Sequence, residues 1–85
     1  RIPHNDAVLI PDNEPRNREV VKQIRKYIEE DYAVVLWPDN VKEKDINDMI
    51  IAGKTRRQIK TTIDEHTYKG VRAKIEFSKW SKTNV

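Results

Sequence analysis

Asp12 and Glu14 stand one residue apart just after a short apolar run, in "AVLIPDNEPRN" (Ala7 to Asn17). A second apolar run, "YAVVLW", ends at Pro38, and Asp45 and Asp48 follow it in "KEKDINDMI". Carboxylates brought together repel one another unless a cation sits among them. Mg²⁺ suits such a set, because it takes a few carboxylate oxygens, keeps several waters and bridges to substrate phosphates. A centre of that kind polarises a phosphate, lowers the pKa of a bound hydroxyl and stabilises a leaving oxygen. The Asp-x-Glu spacing on a turn can aim both carboxylates at one ion. The competing reading is plainer. Asp and Asn also form turns and cap helices, and the acids would then serve the backbone alone.

The chemistry needs elements that bring the two segments together. Ala7 to Ile10 reads as a short buried strand ended by Pro11. Pro15 suits the first turn of a helix, where its missing N–H costs nothing. From Asn17 to Asp31 the pattern is helical, with Val20, Ile24, Tyr27 and Ile28 on one face. Arg25 with Glu29 and Lys26 with Glu30 make i, i+4 pairs on the exposed side, each worth a few tenths of a kcal/mol. Tyr32 to Trp37 is continuously apolar, as in a strand covered on both faces. Strand, helix and strand with short connections make a βαβ unit with parallel strands and a right-handed crossover. Both carboxyl ends then share the edge at which open parallel sheets bind ligands. That edge would set Asp12 and Glu14 beside Asp45, with Asp48 one turn further on.

Asp45 to Ala52 reads as a short helix with Ile46, Met49 and Ile50 on one side and Gly53 as its stop. "TRRQ" (Thr55 to Gln58) has capping-box spacing and opens another helix, with Ile59, Thr62 and Ile63 as its inner stripe. The tail "YKGVRAKIEFSKW" supports two readings. Val71, Ala73, Ile75 and Phe77 alternate as in a strand, whereas Ile75 to Lys82 would make a turn or two of helix. Two clear strands form an incomplete sheet, whose free edge could pair with another chain.

Composition sets bounds on function. The chain has 85 residues, enough for one small domain. It is 36% hydrophobic and 36% charged, but its apolar residues are clustered and periodic, which indicates folding rather than disorder. The absence of cysteine excludes disulfides, thiolate metal sites and a cysteine nucleophile. No apolar run approaches the roughly 20 residues of a membrane span, and nothing reads as a signal peptide. A soluble, cytoplasmic protein is the expectation. Seventeen Lys and Arg against fourteen Asp and Glu give a net charge of +3, with the bases concentrated from Lys54 onward. Arg56, Arg57 and Lys60 would contact phosphates or form ordinary solvated surface. Trp80, among lysines in "FSKWSK", would stack on a nucleobase or pack inside. Trp37 and Tyr27 read as core. His4 and His66 lie far apart, and no catalytic role is expected of either.

"LIPDNEPRN", a helix, "VVLWP" and then "KEKDINDMI" resemble, in order and spacing, the Toprim domain of DNA primases, those of T-even-like bacteriophages in particular. The likeness runs from about Ala7 to Trp80, and "HTYKGVRA" is similar to the segment that closes primase Toprim regions. In that family an Asp-x-Asp pair ends one strand and a further acidic motif follows the next. The resemblance carries Asp12 and Glu14 onto the pair and Asp45 and Asn47 onto the later motif, and implies that these residues hold Mg²⁺ or Mn²⁺. Glu14 stands where many members have Asp, and Asn47 where some have a second Asp. The family's upstream strand, with its acid–base glutamate, has no counterpart in this sequence. The resemblance therefore implies the C-terminal half of a Toprim domain, with residues 1–70 as a partial α/β domain and 71–85 as a closing segment or tail. The implied activity is RNA primer synthesis on a DNA template by nucleotidyl transfer from nucleoside triphosphates. A replicative helicase is the implied partner. The chain is expected to be inactive alone, completed by an N-terminal half or by a second copy. Two alternatives stand beside this reading: a small Toprim-like Mg²⁺-dependent nuclease, and a non-catalytic interaction module.

Overall fold

Pro11 and Pro38 each stop an apolar run, and the strands end short of them. The computed structural model describes residues 7–83. In it β1 covers Val8–Leu9 and β2 covers Ala33–Val35, both shorter than the runs that contain them. The two pair in parallel, Val8 against Ala33 and Leu9 against Val34. Helix α1, Arg18–Glu29, connects them. The fold is therefore of the expected α/β class, built on a parallel βαβ unit.

Asn17, not Pro15, opens α1. Its side-chain oxygen accepts from the N–H groups of Glu19 and Val20 at 3.0 and 3.3 Å, two of the donors that a helix start leaves without partners. Pro15 lies in the turn before. Beyond the helix, Asp31 takes a φ of 66°, a left-handed conformation that short polar side chains tolerate.

From Val34 to Trp37 successive residues point to opposite faces of the sheet. Val34 and Leu36 pack with Val21, Ile24, Ile28, Ala73, Phe77 and Trp80. Val35 and Trp37 pack with Val41, Met49 and Ile59. Helix α1 and helix α4 (Gly70–Trp80) thus cover one face. Helix α2 (Ile46–Ile51) and helix α3 (Arg56–Glu65) cover the other. The inward stripes differ slightly from those the periodicity predicts. Val21 is buried on α1, while Val20 and Tyr27 sit at its margin. On α2, Met49 is buried but Ile50 is half exposed, because a helix of only six residues turns just one side chain fully inward. The capping box at the start of α3 forms as expected, Thr55 and Gln58 each serving the other's backbone N–H.

A third strand, β3 (Thr67–Tyr68), pairs antiparallel with β2, Val34 against Tyr68 and Val35 against Thr67, and gives the order β1-β2-β3. The tail is helical. Ala73, Phe77 and Trp80 turn inward at i, i+4 and i+7, while Val71 and Ile75 face outward. His66 terminates α3, and His4 lies outside the described residues. No helix among those described is long and apolar enough to cross a membrane.

Candidate functional site

The loops that follow β1 and β2 meet at the carboxyl edge of the sheet, and the residue that joins them is Asn13. Its amide nitrogen donates to the carbonyls of Val41 at 2.9 Å and Glu43 at 3.1 Å. Its amide oxygen accepts from the indole N–H of Trp80 at 3.2 Å. Its backbone N–H reaches the Lys44 carbonyl at 2.6 Å. The indole N–H of Trp37 donates to the Pro11 carbonyl at 3.0 Å, and the Lys82 N–H donates to the Pro15 carbonyl at 2.8 Å. The first loop is thereby tied to the second loop and to the end of α4.

This frame sets Asp12, Asp45 and Asn47 around one concavity of about 290 Å³, walled also by Ile10, Trp37 and Ile46. Asp12 is exposed and Asp45 partly buried. One oxygen of Asp45 accepts from the Asp48 N–H at 2.8 Å, capping α2, which leaves the other available. Glu14 turns away from the concavity. Its carboxylate accepts from the Asn17 side-chain amide at 3.0 Å and faces Lys44 at 3.6 Å. Asp48 does not line the concavity either. Among the described residues no three of His, Cys, Asp and Glu gather closely enough to hold a metal ion by themselves. The available donor set is two carboxylates and one amide oxygen. These are hard oxygen ligands of the kind Mg²⁺ accepts when water and a phosphate complete its shell.

Nearby, the Lys54 ammonium pairs with Glu43 at 3.1 Å, and this partner holds the Glu43 carboxyl below its ordinary range, partial burial opposing. The pair fastens the second loop to the start of α3. Arg56, Arg57 and Lys60 are all exposed on α3, and Lys60 is paired with Asp64 at 2.8 Å. Trp80 is 5% exposed and packs against Phe77, their ring centroids 6.4 Å apart. It is a core residue.

The sheet and its edge define a small mixed α/β domain with a concave oxygen-donor site where two strands end. The sequence matches no family model. It is similar to the DNA primase of Enterobacteria phage T4, 34% identical over 84 residues that make up 95% of this chain and 25% of that protein. The chain is thus related in sequence to a phage DNA primase and spans about a quarter of that relative's length.

Proposed function

We propose that this chain is a Toprim-like segment of a primase-type nucleotidyl-transfer centre, with Asp12, Asp45 and Asn47 as its metal-binding residues. The observation that carries the reading is the meeting of these three side chains at one concavity on the carboxyl edge. The likeness to a DNA primase over nearly the whole chain supports the same reading. Mg²⁺ held there would supply positive charge for an incoming triphosphate and acidify an attacking hydroxyl. The residues around it position and shield. The Trp37 indole walls the concavity and, through Pro11, fixes the turn that bears Asp12. Lys44 and Asn17 draw the Glu14 carboxylate aside, which gives Glu14 the role of shaping the loop. DNA template and nucleoside triphosphates are the substrates this reading assigns to the assembled protein.

Mn²⁺ binding followed by electron paramagnetic resonance tests the assignment. Asp12→Asn and Asp45→Asn should each weaken binding about tenfold or more, since each removes one of only two carboxylates. Asn caps a helix as well as Asp does, so Asp45→Asn keeps α2 intact and isolates the loss of a ligand. Glu14→Gln should change affinity by less than about threefold, as expected of an exposed charge already partnered. Equal losses in all three variants would return Glu14 to the metal shell. No Mn²⁺ binding by the unaltered chain would remove the reading.

A second reading, that of an interaction module, has its own observation. Val8 on the edge strand β1 and Ile10 just beyond its end are 48% and 45% exposed, and Ile51 on α2 is 76% exposed. Exposed apolar groups on a sheet edge favour pairing with another chain. Sedimentation that shows assembly, together with no response to metal, would favour that reading.

A further inference from the structure

We infer that a single strand of nucleic acid binds along the groove between α1 and α4 and passes around the end of α4 toward the acidic concavity. The inference rests on the primase-type reading for the class of ligand only.

Three concavities share walls. A groove of about 660 Å³ lies between α1 and α4, lined by Lys74, Lys82 and Arg25, by Glu29 one turn from Arg25 on α1, and by Ile28 and Phe77. Lys82 also lines a second concavity of about 520 Å³, together with Arg16, Lys42, Asp39 and Trp37. Trp37 in turn walls the concavity that holds Asp12 and Asp45. The cations along this route are distinguished by lining these concavities. Lys44, Lys54, Lys60, Lys69, Arg72 and Lys79 each face a carboxylate within 4.0 Å. Among the described residues no carboxylate faces Lys74, Lys82, Arg16 or Lys42 in this way, nor Arg18, Lys22, Lys26, Arg56 or Arg57, but of these only the first four line the two concavities. Cations that face no carboxylate and line adjoining concavities match the repeating charge of a phosphodiester backbone, and neutralising that charge releases condensed counterions. An acidic peptide matches the groove less well. Its path would end against Asp12 and Asp45, which repel carboxylates, whereas a phosphate can share a cation with them. Arg56 and Arg57 lie on the opposite face of the sheet and line none of these concavities.

The test is fluorescence anisotropy with a short labelled oligothymidylate across a salt series. It is run in EDTA, so that failure of metal binding and failure of this path are separate results. Three or four phosphate contacts predict a slope of log affinity against log salt of about −2 to −3. Lys74→Gln with Lys82→Gln should weaken binding about tenfold at low salt and make the slope shallower by about 1.4, two contacts at about 0.7 each. Both lysines are exposed, so circular dichroism should show an unchanged fold. Arg56→Gln with Arg57→Gln should leave affinity and slope as they are. The path is overturned if the unaltered chain does not bind. It is equally overturned if the lysine pair has no effect, if the α3 pair causes the same loss, or if oligoglutamate of equal charge competes as well as the oligonucleotide.

Discussion

Replacing Trp80 with alanine should bring this domain close to unfolding. The indole is 5% exposed, lies in the core between the sheet and α1, and packs on Phe77. Truncating a buried Trp to Ala costs about 3–5 kcal/mol, the lost transfer energy plus the cavity left behind. A chain of this length has a total stability of about 4–13 kcal/mol, at roughly 0.05–0.15 kcal/mol per residue. The substitution also leaves the Asn13 amide oxygen without its donor. Thermal unfolding followed by circular dichroism should show the midpoint falling by about 15 °C or more, since 1 kcal/mol corresponds to about 4–8 °C in a domain this small. Trp80→Phe keeps most of the packing and loses the hydrogen bond, so its effect should be about 1–2 kcal/mol. An alanine variant that melts within a few degrees of the unaltered chain would show that α4 is not part of the folded unit.

Asn13→Ala should produce the next largest effect and also disturb the site. It removes two donors and one acceptor, and leaves the carbonyls of Val41 and Glu43 and the Trp80 indole N–H without their partner. An unsatisfied buried group costs about 1–3 kcal/mol. These groups are partly reached by solvent, so a total of about 2–4 kcal/mol is expected. Asn13→Asp is the informative companion, because it keeps the acceptor for Trp80 and loses both donors to the second loop. If Asn13 holds the two loops together, Mn²⁺ affinity should fall about tenfold in both variants, as happens when groups that orient metal ligands are removed. Loss of stability with unchanged Mn²⁺ affinity would mean that the loops hold their places without it.

The parallel pair at the centre of this fold is legible in the sequence because two continuous apolar runs, each stopped by a proline, leave few other topologies. The acids at their ends were legible for the same reason. Asn13 was not. Between two carboxylates it reads as a spacer, and its partners lie 28, 30 and 67 residues away, so no local pattern announces them. Strand β3 was also hidden. Two residues without an apolar run form it because β2 offers a free edge, and the Leu36 N–H reaches the His66 carbonyl just beside it. Helix α4 was ambiguous for a definite reason. Its apolar residues include Val71 and Ile75, which alternate with Ala73 and Phe77 but face outward, and its N-cap, Lys69, makes no side-chain capping bond. The start signal was therefore missing, and the apolar spacing fitted period two as well as the helix. Glu14 occupies the position a ligand would take, but Lys44 and Asn17 are nearer partners in this fold.

Paramagnetic broadening of backbone amide resonances by trace Mn²⁺ tests most directly whether the tips of these two strands share one ion. The amides of Asp12, Ile46 and Asn47 should broaden first and together, and should be spared in Asp12→Asn at the same Mn²⁺ concentration. Broadening that begins instead around Glu29, Glu30 and Asp31, or spreads evenly over the exposed acids, would contradict a common centre at the carboxyl edge.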